Sequence, residues 1–205
     1  MFSNDNTHYR RLSVYGLVLA LVLLGITLSL VSNAAEDTDK LKQESMDAFK
    51  QFNNMSEAQR NSAVQNMSST DMSMVTMGAA QINNEVNETI QAMVPPNTDM
   101  SSVYELRSGN FTNSGNISKV SGISRILSVN HIEFLRFEHF NVTNGPELHV
   151  YFTNNGDLVN SKDLGILKGN IGSQNYFLGD IANQYDVVIA SKPFKMVYAK
   201  AMLEP

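Results

Sequence analysis

Beyond Pro95-Pro96 the chain breaks into short runs rich in β-branched and aromatic residues, each closed by Gly, Asn or Asp. This pattern restricts the fold more than any other feature of the sequence. The runs are "YELRSGNFT" (104–112), "ISKVSGISRILSV" (117–129), "IEFLRFEHFNV" (132–142), "ELHVYFT" (147–153), "DLGILKGN" (163–170) and "SQNYFLG" (173–179). Two more follow in "YDVVIASKPFKMVYAKAML" (185–203), joined at Lys192-Pro193. Turn clusters "NSGN" (113–116), "TNGP" (143–146) and "NNGD" (154–157) stand between them. Strands at this spacing with no long helix between them predict an antiparallel sandwich or barrel. In "ELHVYFT", Leu148, Val150 and Phe152 alternate with His149, Tyr151 and Thr153, which predicts one buried and one wet face. In "YDVVIAS", Val187, Ile189 and Ser191 share one face and Val188 and Ala190 the other, the pattern of a strand buried on both sides. The expected fold class is therefore mainly β, an antiparallel β-sandwich over 104–205.

What precedes the sandwich reads differently. Six of the 11 Met lie between 46 and 77, among many Gln, Asn, Ser and Glu. Such residues suit helices. Phe49, Phe52 and Met55 recur at three-residue spacing, and Ile82, Val86, Ile90 and Met93 at four and three, placing each set on one helical face. Ser69 or Thr70 starts the last helix in this reading and Pro95-Pro96 ends it. Residues 33–94 are expected to form a helical, Met-rich stalk, with 95–103 a linker.

The N-terminus fixes the expected compartment. "VYGLVLALVLLGITLSLV" (14–31) carries no charge, follows Arg10-Arg11 and precedes Glu36, Asp37 and Asp39. A run of this length crosses about 30 Å of hydrocarbon as a helix, and the Arg pair predicts a cytoplasmic N-terminus. The expected layout is a short cytoplasmic 1–11, a transmembrane anchor at 12–32, and everything beyond outside the cytoplasm. The rival is a signal peptide cut after Ala34, where "SNA" supplies small residues, giving a secreted protein; a twin-arginine signal is a weaker alternative. Sequons at Asn54, Asn66, Asn87, Asn110, Asn116 and Asn141 all lie beyond the apolar run and are candidate glycosylation sites on an outward-facing chain.

Composition removes whole chemistries. A net charge of −5 and an acidic isoelectric point argue against phosphate-backbone binding, so no nucleic-acid partner is expected. The absence of Cys removes disulfides, thiolate metal sites and thiol redox chemistry. His and Met remain. His131 and His139 flank one strand, and their spacing puts them about 26 Å apart on one face if that strand is regular. A hairpin turning at Gly145-Pro146 would bring His139 across from His149, with Glu138 or Glu147 as a third ligand, a two-His, one-carboxylate arrangement. Met72, Met74 and Met77 in "MSMVTM" are thioethers that suit Cu(I), although Met also packs helices without any metal role. The expectation is no cofactor, with copper as the alternative.

"NGPELHVYFT", "LGILKGNIGSQNYFLG" and "YDVVIASKPFKMVYAKAML" resemble, in order and spacing, three blocks of the DM-thirteen domain, also called the electron-transfer DM domain. The resemblance covers Tyr104 to Leu203 and leaves 1–103 aside. It implies a compact β-sandwich attached to secreted or membrane-tethered proteins, with a proposed redox role. In many members that role leans on a Cys before a "KPF"-like turn. Here Ala190 and Ser191 stand before Lys192-Pro193-Phe194, and a serine hydroxyl does none of a thiol's redox chemistry. The expected function is a membrane-anchored display module that binds an unidentified protein or ligand outside the cell, not an enzyme. The alternative is a redox or metal-handling protein using His139, His149 or the Met cluster.

Overall fold

The computed structural model describes residues 36–100, 103–179 and 185–205 of the 205-residue chain. The apolar run over 12–32 lies outside the described residues. Among the described residues no helix is long and apolar enough to cross a membrane. The chain divides into two compact units, 1–44 and 45–205. In the first, residues 36–44 are helical and exposed, with ion pairs Lys40–Glu44 and Lys42–Asp39 on the surface. All further description concerns the second.

Helix α1 is the run over 36–53, of which 45–53 belong to this unit; α2 is Glu57–Asn66 and α3 is Ser69–Ala80. Capping boxes start the last two. Ser56 and Gln59 exchange side-chain and backbone bonds at α2, and Ser68 and Asp71 do so at α3, whose first residue is Ser69, one of the two expected starts. Ten strands follow: β1 (Glu85–Asn87), β2 (Val103–Asn110), β3 (Thr112–Asn113), β4 (Val120–Val129), β5 (Ile132–Val142), β6 (Leu148–Thr153), β7 (Lys162–Ile166), β8 (Ile171–Phe177), β9 (Asp186–Ser191) and β10 (Val197–Met202). They make two five-stranded sheets, β1-β8-β5-β4-β2 and β3-β10-β9-β6-β7. The expected mainly β, two-sheet architecture is present, antiparallel throughout except for β1 against β8.

The core forms between the sheets because inward residues alternate on both. Phe137, Phe140 and Phe111 meet at ring-centroid distances of 4.8–5.1 Å, and Leu148, Val150, Phe152, Val187 and Ile189 face them from the second sheet. Phe137 and Phe140 both point inward although three residues apart. A bulge at Glu138-His139, opposed by Gly122 at φ +113°, inserts the extra residue. His139 takes φ +49° in that bulge and is exposed.

Four expectations change here. The stripe Ile82–Met93 does not form a helix: α3 ends at Ala80, Glu85–Asn87 pairs with Ile171–Ser173, and Ile90–Met93 is a short 3-10 turn. Tertiary bonds override the local preference, since Asn84 is held by Asn170 at 2.6 Å and by the Lys168 carbonyl at 2.8 Å. Gly172 sits at φ +108°, where a β-carbon would fall 2.1 Å from the Val86 carbonyl oxygen, a position that only glycine permits. Ile90, Met93 and Val94 then cover Leu127, Val129 and Phe134 on the outer face of the first sheet. Residues 45–94 thus belong to the same compact unit as the sandwich.

Second, His131 lies in the two-residue turn between β4 and β5, where Asn130 and His131 take φ +49° and +65°, so it is not on a regular strand with His139. Third, Gly145-Pro146 turns no hairpin. It carries the chain from β5 in one sheet to β6 in the other, which separates His139 from His149. Gly145 is needed there because a β-carbon would fall 2.4 Å from the Tyr198 ring. Fourth, the outer face of β6 is not wet: His149 and Thr153 are buried.

Candidate functional site

The outer face of the second sheet meets α2 in a group of charged side chains centred on His149. Strand β6 presents the imidazole, and β7 brings Asp163 beside it, with Nδ1 2.9 Å from both carboxylate oxygens. Asp163 is itself held by the Gly165 N–H at 2.8 Å. Glu147 takes φ +45°, an uncommon conformation for a residue with a side chain, and its carboxylate lies between two partners. One oxygen is 3.7 Å from His149 Nε2 and the other 2.7 Å from Arg60 Nε on α2. That Arg contact is an ion pair without the alignment of a hydrogen bond. Arg60 also donates to the Met55 carbonyl, and Lys192 pairs with Glu57 of α2 at 3.0 Å.

Electrostatics follow from these neighbours. The Lys192 hydrogen bond and charge hold Glu57 below the ordinary carboxylate range and Glu57 holds Lys192 above its own. Tyr151, stacked 6.1 Å from His149, is pushed up to about 12 by burial and then by Asp163 and Glu147. It is a neutral phenol across the physiological range. With Asp163 fixing Nδ1, the His149 nitrogen left for proton transfer or ligation is Nε2, the arrangement that orients metal-binding and general-base histidines. Two hollows flank the group. One of about 340 Å³ is lined by Phe49, Asn53, Arg60, Glu147 and Asn84; the other, of about 440 Å³, by Glu57, Asn61, Tyr151, Leu158, Val159 and Lys195.

Of the expected site residues, His149 alone stands in this group together with Glu147. His139 is on the other sheet, and Glu138 is engaged by Arg125 at 2.9 Å and Arg136 at 2.7 Å on that sheet's outer face. Among the described residues no three His, Asp or Glu converge in a way that holds a metal. On α3, Met74 points about 200° and Met77 about 140° around the helix from Met72. Met72 packs into the apolar cluster of Phe49, Phe52, Val75, Ala79 and Phe194, whereas Met77 is exposed. Ser191 is fully buried; its Oγ donates to the Pro146 carbonyl at 2.7 Å and accepts from Phe194 N–H at 3.4 Å. It ties the β9–β10 turn to the crossover before β6. All six sequon asparagines are exposed. Asn66 and Asn87 spend their amides on local hydrogen bonds.

Arg60, Asp163, Glu57, Lys192 and Tyr151 escaped the sequence reading. Arg60 and Glu147 stand far apart in the chain with no motif joining them, and only β6–β7 register brings Asp163 to His149. No family model matches this chain, and neither the curated proteins nor the solved structures contain a match to it.

Proposed function

We propose that this protein is a membrane-anchored sandwich module, held through 12–32 with residues 36–205 outside the cytoplasm, that binds a protein or ligand partner through the outer face of its second sheet. The observation that carries the reading is the loop over 154–161. Asp157 accepts from Val159 N–H at 2.8 Å and from the Asn160 amide at 3.1 Å, and Ser161 Oγ donates to the Leu158 carbonyl at 2.7 Å. A loop so tied within itself holds Val159 at 89% exposure beside the larger hollow. A preformed loop that keeps an apolar side chain in water beside a concave surface suits contact with a partner. The DM-thirteen resemblance belongs to the same proposal. Its blocks fall on β6, on β7–β8 and on β9–β10, and Ser191 makes the family position a structural one here.

A photo-crosslinking residue at position 159, displayed on intact cells, is expected to give a discrete adduct that the same residue at exposed Phe177 does not. External protease is expected to remove the 104–203 region. Full protection from protease with the membrane intact, or identical crosslinking at both positions, defeats the proposal. The metal-handling alternative draws on the Asp163-oriented His149. It requires about one equivalent of copper in purified protein that disappears in His149→Ala and survives His139→Ala.

A further inference from the structure

Helix α2 differs from its neighbours in what holds it. It buries no side chain, whereas α3 buries Val75, Gly78 and Ala79, and α1 contributes Phe49 and Phe52 to the same apolar cluster. From α2 only the partly buried Val64 touches that cluster. A ten-residue helix is not stable by itself in water, so its position depends on external contacts. Two of these are ion pairs to the sandwich, Arg60–Glu147 and Glu57–Lys192. The first has side chains only 17% and 15% exposed, and its acid sits on backbone at φ +45°. Non-helical backbone lies on either side of α2, at residues 54–56 and 67–68.

The placement of the two hollows gives this attachment a consequence. Arg60 lines the smaller and Glu57 and Asn61 the larger, so α2 contributes to the walls of both. Glu147, the partner of Arg60, is also the neighbour of His149 Nε2. We infer that α2 is a charge-latched strap: it lies across the His149–Asp163–Glu147 group, is released when its two ion pairs are broken or screened, and on lifting joins the two hollows into one cleft. The charged groups facing the latch are Glu147, Asp163 and His149 from β6–β7 and the segment before them, Lys192 and Lys195 from the β9–β10 turn, and Glu57 and Arg60 from α2 itself. Neighbouring α1 and α3 keep their apolar anchor on Phe194 when α2 lifts.

Hydrogen exchange on the full chain in micelles tests this directly. In wild type, raising NaCl from low concentration to about 0.5 M screens charges over a few ångströms. Because salt acts mainly on the exposed Glu57–Lys192 pair and little on the buried Arg60–Glu147 pair, exchange of the α2 amides from Asn61 to Asn66 is expected to rise about threefold, with α3 and β6 unchanged. Glu147→Gln, which removes the buried pair outright, is expected to give a larger rise at low salt, about tenfold. Exchanging the exposed pair gives a second arm: Lys192→Glu alone loosens α2, and Lys192→Glu with Glu57→Lys tightens it again. Because the chain has no Cys, Tyr151→Cys places a single thiol on the floor of the larger hollow, and its alkylation is expected to speed up with salt by the same factor. Protection of α2 equal to that of α3 at both salt concentrations overturns the inference. So does loosening of α3 together with α2, or thiol alkylation that ignores salt.

Discussion

The two outer faces of the sandwich are both covered, yet by different means. Over the first sheet, β1 is zipped to β8 and the 3-10 turn after it buries apolar side chains. Its charges are closed on one another: Arg125 binds Glu105 and Glu138; Arg136 binds Glu138, the Glu88 carbonyl and Asn175; and Lys168 binds Glu88. Over the second sheet lie α2 and the self-bonded 154–161 loop, leaving two hollows, a histidine with one nitrogen short of a close partner, and a glutamate on left-handed backbone. A closed network reads as structure. An open one beside a cavity reads as a place where something binds or moves.

The largest contrast is expected from Arg136→Ala, which leaves Glu138 to Arg125 alone and takes the donor from the buried Asn175 amide oxygen; it should cost about 3 kcal/mol in a denaturant midpoint measurement. If it costs no more than Arg60→Ala, the two networks do not differ in kind. Gly172→Ala, which drives a β-carbon into the Val86 carbonyl at φ +108°, is expected to cost about 2 kcal/mol. It should also free β1, read as new exchange at Val86 and Glu88 amides, while leaving α2 as it was. Ser191→Ala is expected to cost about 1 kcal/mol, one buried hydrogen bond, without a change in any binding activity. Arg60→Ala should cost about 1 kcal/mol although its pair with Glu147 is mostly buried, because the stranded carboxylate returns to water once one short helix lifts.

Acid provides the finest comparison. Burial alone would raise Glu88 and Glu138, yet Lys168 with the Asn175 N–H in one case, and Arg136 with Arg125 in the other, hold both below the ordinary carboxylate value of 4.5. A carboxyl lowered in the folded state stabilises it above the unfolded value, and that contribution disappears as pH falls through the folded one. Thermal midpoints are therefore expected to fall from just below pH 4.5 downward, and Glu88→Gln to flatten that fall.

Much of the sandwich was legible because strand alternation and turn residues are local signals. The inward faces of β6 and β9 follow from every-other-residue reading, whereas the outer face of β6, expected to be wet, is covered by elements that alternation does not reveal. The segment from Ile82 to Met93 was misread since its helical spacing was genuine and only Asn170 and Gly172, far along the chain, reassign it. The His139–His149 pairing failed for a related reason. A Gly-Pro step looks the same in sequence whether it reverses within a sheet or passes to the other one. His149 was singled out from residue type, with Glu147 two residues before it as a candidate neighbour; its closest partner, Asp163, comes from β7, and no spacing rule connects that residue to it.

One ring contact bears on the order in which the molecule is assembled. Phe52 rests against Phe194 at 5.2 Å, and the β9–β10 turn with Phe194 and Met196 roofs the helices carrying Phe49, Phe52, Val75 and Ala79, alongside Met55, Val64, Met67 and Ile82 from nearby in the chain. During translation, which adds roughly 5–20 residues per second, that roof emerges on the order of 10 s after the helices it covers. Through that interval a greasy surface stands bare, with β1 also waiting for its late partner. Lengthening the delay between residues 80 and 185 is therefore expected to raise the fraction of this protein that aggregates during synthesis.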